Sequence, residues 1–143
     1  LHEKRAVALI GAEHYLDAFA NLNCFVMPIW GAWSNIVGVI NITGSEEFKS
    51  PLIAKKLTTA ASKIENRLFF EAHRENNILK IHYDADFIDT HLGGLVAINA
   101  FGDILSATRH ALEMLDPLDP FGKRCNVSEL FFGDFSIVDD YCL

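Results

Sequence analysis

"GAEHYLDAFANLNCFVMPIWGAWSNIVGVINITG", residues 11–44, decides how this chain folds. Its later part holds two β-rich runs, "CFVMPIW" and "NIVGVINITG", separated by "GAWS". Apolar and β-branched runs bounded by turn residues read as a hairpin. Gly31 and Asn35 are expected to supply the positive φ angles of its loop. Pro28 has no N–H to give to a ladder, so its strand is expected at an edge or at a bulge. Upstream, Tyr15, Leu16 and Phe19 lie at helical spacing, which predicts a short helix or helical turn after the apolar "RAVALIG".

Working outward, Ser50 and Pro51 read as a helix N-cap followed by proline at the first helical position. "PLIAKKLTTAASKIENRLFFEAHRE" then runs without Gly or further Pro. Ile53, Leu57, Ala60, Ala61, Ile64 and Leu68 form one apolar stripe, with most charges off it. Such a helix would reach roughly 35–40 Å, longer than a small domain needs, and is expected to leave its own domain. "ENNILKIHYDADFIDTHLGG" reads as a mixed junction. "LVAINAFGDILSATR" reads as a second hairpin with Gly102 in the turn, and "RHALEML" as a short helix stopped by "DPLDP". A last short helix in "GKRCNVSELFF" takes Asn126 or Ser128 as its cap.

The 143 residues suit one ordinary domain or pieces of two. Half of them are hydrophobic and 22% are charged, so the chain can bury a core. A net charge of −7 argues against direct contact with a nucleic-acid backbone, which needs clustered Lys and Arg. No apolar run approaches the ~20 residues of a membrane span. The three cysteines, Cys24, Cys125 and Cys142, show no short-range pairing, and no signal-like segment leads the chain, so a cytoplasmic setting is expected. The first residue is Leu and the pattern is already under way there, which reads as a segment of a longer chain.

The chemistry-bearing residues are sparse. Glu13-His14 with Cys24 ten residues on raises the question of a nucleophile and its base. A reactive cysteine needs its pKa lowered by a neighbouring base or a helix N-terminus. A cysteine that begins a buried strand instead behaves as a small hydrophobe, and that reading is preferred here. Adjacent residues on a helical turn diverge by about 100°, so Glu13 and His14 are not expected to converge on one atom or ion. His14 is expected to face inward and to bond locally. The six histidines, at positions 2, 14, 73, 82, 91 and 110, have no metal-ligand spacing, and no Walker pattern is present. Trp30 and Trp33 flank the first turn, where packing is preferred over ligand contact.

Gly11, Glu13, His14, Tyr15, Cys24, Pro28, Ile29, Gly38, Val39, Thr43 and Gly44 together resemble the second half of a GAF sensory domain. The resemblance is to that domain in sigma-54-dependent transcriptional activators of the acetoin-catabolism regulator type. The helix from Ser50 is similar to the one that closes that domain. "GGLVAINAFGDILSATRHALEML" resembles the opening hairpin and first helix of a PAS domain, with Thr108 where asparagine is usual and "NAFG" where the turn is usually D-x-x-G.

The resemblance implies an α+β chain: the C-terminal part of a GAF-like antiparallel sheet, a long connecting helix, and the N-terminal part of a PAS-like domain. Its expected boundaries are 1–72, a linker at 73–91, and 92–143. It implies signal input through a small-molecule effector, with His14, Tyr15, Cys24, Met27 and Trp30 as the pocket candidates. No catalytic residue, metal or cofactor is expected, nor any nucleic-acid or membrane contact by this segment. A homo-oligomer is expected. DNA and sigma-54 polymerase contacts, and ATP hydrolysis, would belong to the parent protein. The competing readings are a GAF-fold cysteine-dependent reductase and a dimerisation module without a ligand.

Overall fold

A computed structural model describes residues 3–45, 51–115 and 126–130, leaving aside the side chains of residues 51 and 130. The chain is α+β and divides into two compact units, Leu1–Ala72 and His73–Leu143. Each unit holds a three-stranded antiparallel sheet.

In the first unit, β1 (Val7–Ile10) is followed by two 3-10 turns, Gly11–Glu13 and Asp17–Phe19. Helical spacing was thus enough for two single turns and not for a helix. β2 (Asn23–Trp30) and β3 (Ile36–Gly44) form the expected hairpin, and the sheet order is β1-β2-β3. β2 is therefore central, yet β1 pairs it only from Asn23 to Val26, which leaves the Pro28 segment open on that side. A bulge between Ile29 and Trp30 follows at once. The missing N–H of Pro28 is accommodated by both devices together. The loop differs from expectation. Ser34 carries the positive φ of 56°, and neither Gly31 nor Asn35 does. Gly31 is needed for space, since a Cβ there would stand 2.8 Å from Val37 Cγ1 and 2.9 Å from Asn35 Oδ1.

α1 (Pro51–Ala72) has 22 residues, about 33 Å at 1.5 Å per residue, and ends where the first unit ends. It is a packed part of that unit and does not run on beyond it. The Ser50 cap lies outside the described residues. Leu57 and Ala61 pack on Met27 with Phe25, Ile40 and Ile42 around them. The buried stripe turns away from the expected one further along: Ser62 and Phe69 are buried, while Ile64 and Leu68 are exposed.

Alternation fixes the two faces of this sheet. Phe25, Met27, Ile40 and Ile42 meet α1. Cys24, Val26 and Pro28, paired with Thr43, Asn41 and Val39 on β3, lie on the other face, with Val7 and Leu9 of β1 beside them.

In the second unit, β4 (Asn77–Ile81), β5 (Gly94–Ile98) and β6 (Ile104–Ala107) form a sheet in sequence order. The segment 73–91 is therefore not a plain linker, because its residues 77–81 pair along the whole of β5. α2 (Arg109–Leu115) supplies Ala111 and Leu115 to a core with Val96, Ile98, Ala107 and Val127. Thr108 joins helix to sheet: its hydroxyl accepts the Leu95 N–H at 2.9 Å and its carbonyl accepts the Leu112 N–H at 2.9 Å. Gly102 has φ 80° in the β5–β6 turn. Asn126 is the cap of α3 (Val127–Leu130), its Oδ1 accepting the Ser128 N–H at 3.0 Å.

Candidate functional site

The face of the first sheet turned away from α1 carries a group of chemically suggestive side chains that the fold brings together. Gly11 adopts φ 55°, a left-handed conformation that a side chain would strain, and so turns the chain sharply after β1. The turn aims the Gly11 carbonyl at the His14 ring, and His14 Nδ1 donates to it at 2.8 Å. That bond fixes the tautomer. With Nδ1 protonated, Nε2 is the free nitrogen, and it lies 3.2 Å from Cys24 Sγ. Register brings the third member, because Cys24 pairs with Thr43 across the β2–β3 ladder. Thr43 Oγ1 is 3.3 Å from the sulfur.

Glu13 and His14 do diverge. Glu13 Oε2 turns back to accept the Ile10 N–H at 2.7 Å, closing the turn, while His14 crosses to β2. Phe19 of the second 3-10 turn meets the His14 ring edge-on at 6.4 Å.

The electrostatics follow from these contacts. The Gly11 carbonyl, and next the Cys24 sulfur, raise the His14 pKa above its ordinary value by holding the protonated ring. The Thr43 hydroxyl, and next His14, lower the Cys24 pKa by stabilising the thiolate. The two shifts act in one direction, toward an imidazolium–thiolate pair. Cys24 is half-buried and free. It is not the buried small hydrophobe that its position at the start of a strand suggested.

The other pocket candidates scatter. Met27 is 8% exposed beneath α1, on the opposite face from Cys24. Tyr15 is 99% exposed and lines nothing. Trp30 follows the bulge, and its backbone N–H donates to Glu65 Oε1 of α1 at 2.9 Å. Its indole Nε1 is buried without an acceptor among the described residues. Trp33 is exposed. A shallow depression of about 150 Å³ lies on the Cys24 face, lined by Val7, Val26, Pro28 and Val39 with Glu3, Lys4 and Arg5. Thr43 and these depression residues were not singled out as site candidates from the sequence; the period-2 pattern from Cys24 through Val26 and Pro28 carried the signal. Cys125 and Cys142 lie outside the described residues. Among the described residues no three His, Cys, Asp or Glu side chains cluster as metal ligands, and no helix is long and apolar enough to cross a membrane.

No protein-family model matches the chain. Curated proteins do. The acetoin catabolism regulatory protein of Cupriavidus necator is 27% identical over 78% of this chain and 17% of its own length. The signal-transduction and transcriptional-control protein of Clostridium beijerinckii is 24% identical over 79% of this chain and 18% of its own. The propane 2-monooxygenase operon transcriptional activator MimR of Mycolicibacterium smegmatis is 28% identical over 95% of this chain and 23% of its own. A solved structure, the E. coli DhaR(N)–DhaL complex, matches 90% of this chain and 44% of that chain, with a TM-score of 0.47 and 14% identity. The chain spans less than a quarter of the length of the curated relatives it matches. Over that span the chain is similar to these three regulators, which are sigma-54-type activators of the kind that residues 11–44 resemble.

Proposed function

We propose that this chain is a signal-input segment of a sigma-54-dependent transcriptional regulator. Residues 1–72 are the C-terminal part of a GAF-like sensory domain. Residues 73–143 are the opening of a PAS-like domain that begins with β4. The segment is not an enzyme and holds no cofactor. It works in the cytoplasm as part of a homo-oligomer, and the parent protein carries the ATPase and DNA-binding functions and the polymerase contact.

The observation that carries this reading is that three regulators match most of this chain, each over less than a quarter of its own length. We read the shared segment as an input element, since its sequence carries neither the Walker pattern nor the clustered Lys and Arg of an output module. The sheet supports the reading, since its Cys24 face, with Val26, Pro28 and Val39, is turned away from α1 while its other face packs on that helix. A small effector on the first face shifts the regulator only by preferring one conformer, because equal affinity moves nothing. α1, seated on the same strands, is placed to register the shift.

Deletion of residues 1–72 from the intact regulator tests this with a transcriptional reporter. The response to the inducing compound should vanish while uninduced transcription persists at a fixed level. A response that survives the deletion would refute the input role. The reductase reading draws on the His14–Cys24 contact; multiple turnovers of methionine sulfoxide with a thiol reductant would favour it.

A further inference from the structure

We propose that Cys24, His14 and Thr43 form a covalent input site at which a small hydroperoxide oxidises the Cys24 sulfur. The input role rests on the sensory reading above, whereas the chemistry is a property of the three side chains.

The arrangement has the parts that an activated thiol needs. The nucleophile and its base are in contact, with Cys24 Sγ 3.2 Å from His14 Nε2. The base is oriented by a further group, the Gly11 carbonyl at 2.8 Å from Nδ1. A hydroxyl donor, Thr43 Oγ1, stands 3.3 Å from the sulfur. A structural cysteine on a sheet face needs none of these. The raised imidazole and lowered thiol described above agree with the geometry. Two ligands do not make a metal site, and no third ligand joins them among the described residues.

The half-buried sulfur lies on the sheet face turned away from α1, which suits a small reactant held by the two hydrogen-bonding groups. A hydroperoxide fits this description. The Cys24 thiolate attacks one peroxide oxygen, so that the S–O bond forms as the O–O bond breaks. The departing hydroxide, or alkoxide from an organic hydroperoxide, takes the Nε2 proton of the His14 imidazolium and leaves as water or an alcohol. The sulfur loses two electrons to become a sulfenic acid, the peroxide gains them, and His14 ends neutral. The new oxygen stands where the sulfur met His14 and Thr43. Oxidation therefore disturbs the contact between β2 and the Gly11–His14 turn.

The test treats the purified 143-residue chain with hydrogen peroxide between about pH 5.5 and about pH 9, spanning the ordinary thiol value of about 8.5. Dimedone traps the sulfenic acid, and peptide mass mapping reads Cys24. At about pH 6.5 Cys24 should react about fivefold faster than an unfolded peptide of residues 20–28, because more of it is thiolate. His14→Gln and Thr43→Val should each slow it and move the profile to higher pH. Thr43→Val keeps the side-chain shape, so it remains informative if His14→Gln unfolds the chain. A Cys24 profile equal to the peptide's, or unchanged in both variants, overturns the proposal. Fast alkylation by iodoacetamide without sulfenic acid formation also overturns it, as another class of electrophile would then be the reactant. In the intact regulator, Cys24→Ser should abolish a peroxide effect on the reporter. If Cys24 oxidises as expected and the reporter ignores peroxide, the input role of the cysteine fails. The residue 1–72 deletion separately decides the sensory reading.

Discussion

Leu57→Ala and Ile64→Ala on α1 make a matched pair, because both positions belong to the one apolar stripe visible in the sequence. The fold separates them. Leu57 is 3% exposed and touches the core formed by Met27 and Ala61, whereas Ile64 is 41% exposed. Truncating a buried Leu costs the lost transfer energy plus the cavity left behind, about 2–5 kcal/mol. A single helix over one sheet can settle into part of that cavity, so about 2–4 kcal/mol is expected at Leu57. Ile64→Ala removes mostly exposed atoms and gains a few tenths of a kcal/mol in helix propensity, which leaves a net change within about 1 kcal/mol. A unit of this size has roughly 4–10 kcal/mol of stability in all, so the first change is large and the second small. Both tryptophans, Trp30 and Trp33, lie in the first unit, so urea unfolding followed by tryptophan fluorescence reports on that unit alone. Midpoints should separate at constant slope. Equal losses at Leu57 and Ile64 would refute the assigned face of α1. An Ile64 loss that grows with protein concentration would instead place Ile64 in the expected homo-oligomer contact.

Three further outcomes follow from single contacts. Glu65→Ala removes the acceptor of the Trp30 N–H beside the bulge and should cost about 1–2 kcal/mol in the same assay, with Glu65→Gln costing less because it keeps an acceptor oxygen. Asn126→Ala loses the α3 cap and the 2.8 Å bond from Nδ2 to the Phe101 carbonyl; about 1–2 kcal/mol should appear as faster amide exchange across residues 99–107. Burial holds the His73 pKa below its ordinary value, so the folded chain keeps it neutral where the unfolded chain takes a proton. Its contribution is complete above about pH 6.5 and is lost as pH falls toward the folded value. Calorimetric unfolding should therefore show His73→Gln flattening an acid-side decline, and an unchanged slope would refute that role.

What the sequence made legible, and what it hid, follows from the range of the contacts involved. The β2–β3 hairpin was readable because its strands, loop and Pro28 lie within one continuous stretch, and local residue types decide its pairing. α1 was readable as a helix for the same reason, but not its buried face. Counting apolar positions selected Ile64 and Leu68, whereas the sheet accepts Leu57 and Ala61, and the residues buried further along the helix are Ser62 and Phe69. β4 was hidden. "NILKI" is five residues between polar segments, and it becomes a strand only because β5, from residue 94 onward, pairs with it. That partner cannot be read from the strand itself.

The active-looking trio shows the same limit at the scale of single side chains. The divergence of Glu13 and His14 followed from helical-turn geometry, and the turn does send one to Ile10 and the other across to β2. Where His14 would land did not follow, since it depends on two facts that lie apart in the chain. Gly11 must take a positive φ to turn the ring toward the sheet, and β1 must pair with β2 so that Leu9 stands opposite Cys24. A slip of β2 by one residue would turn Cys24 to the α1 face, turn Met27 away from it, and separate Cys24 from His14 altogether. Cys24 and His14 are thus ten residues apart in sequence and 3.2 Å apart in the fold only because β1, β2 and β3 hold this register. The thiol chemistry proposed for Cys24 is accordingly a property of the folded first unit, and mild urea that unfolds that unit should return Cys24 to ordinary thiol reactivity along the same transition that the tryptophans report.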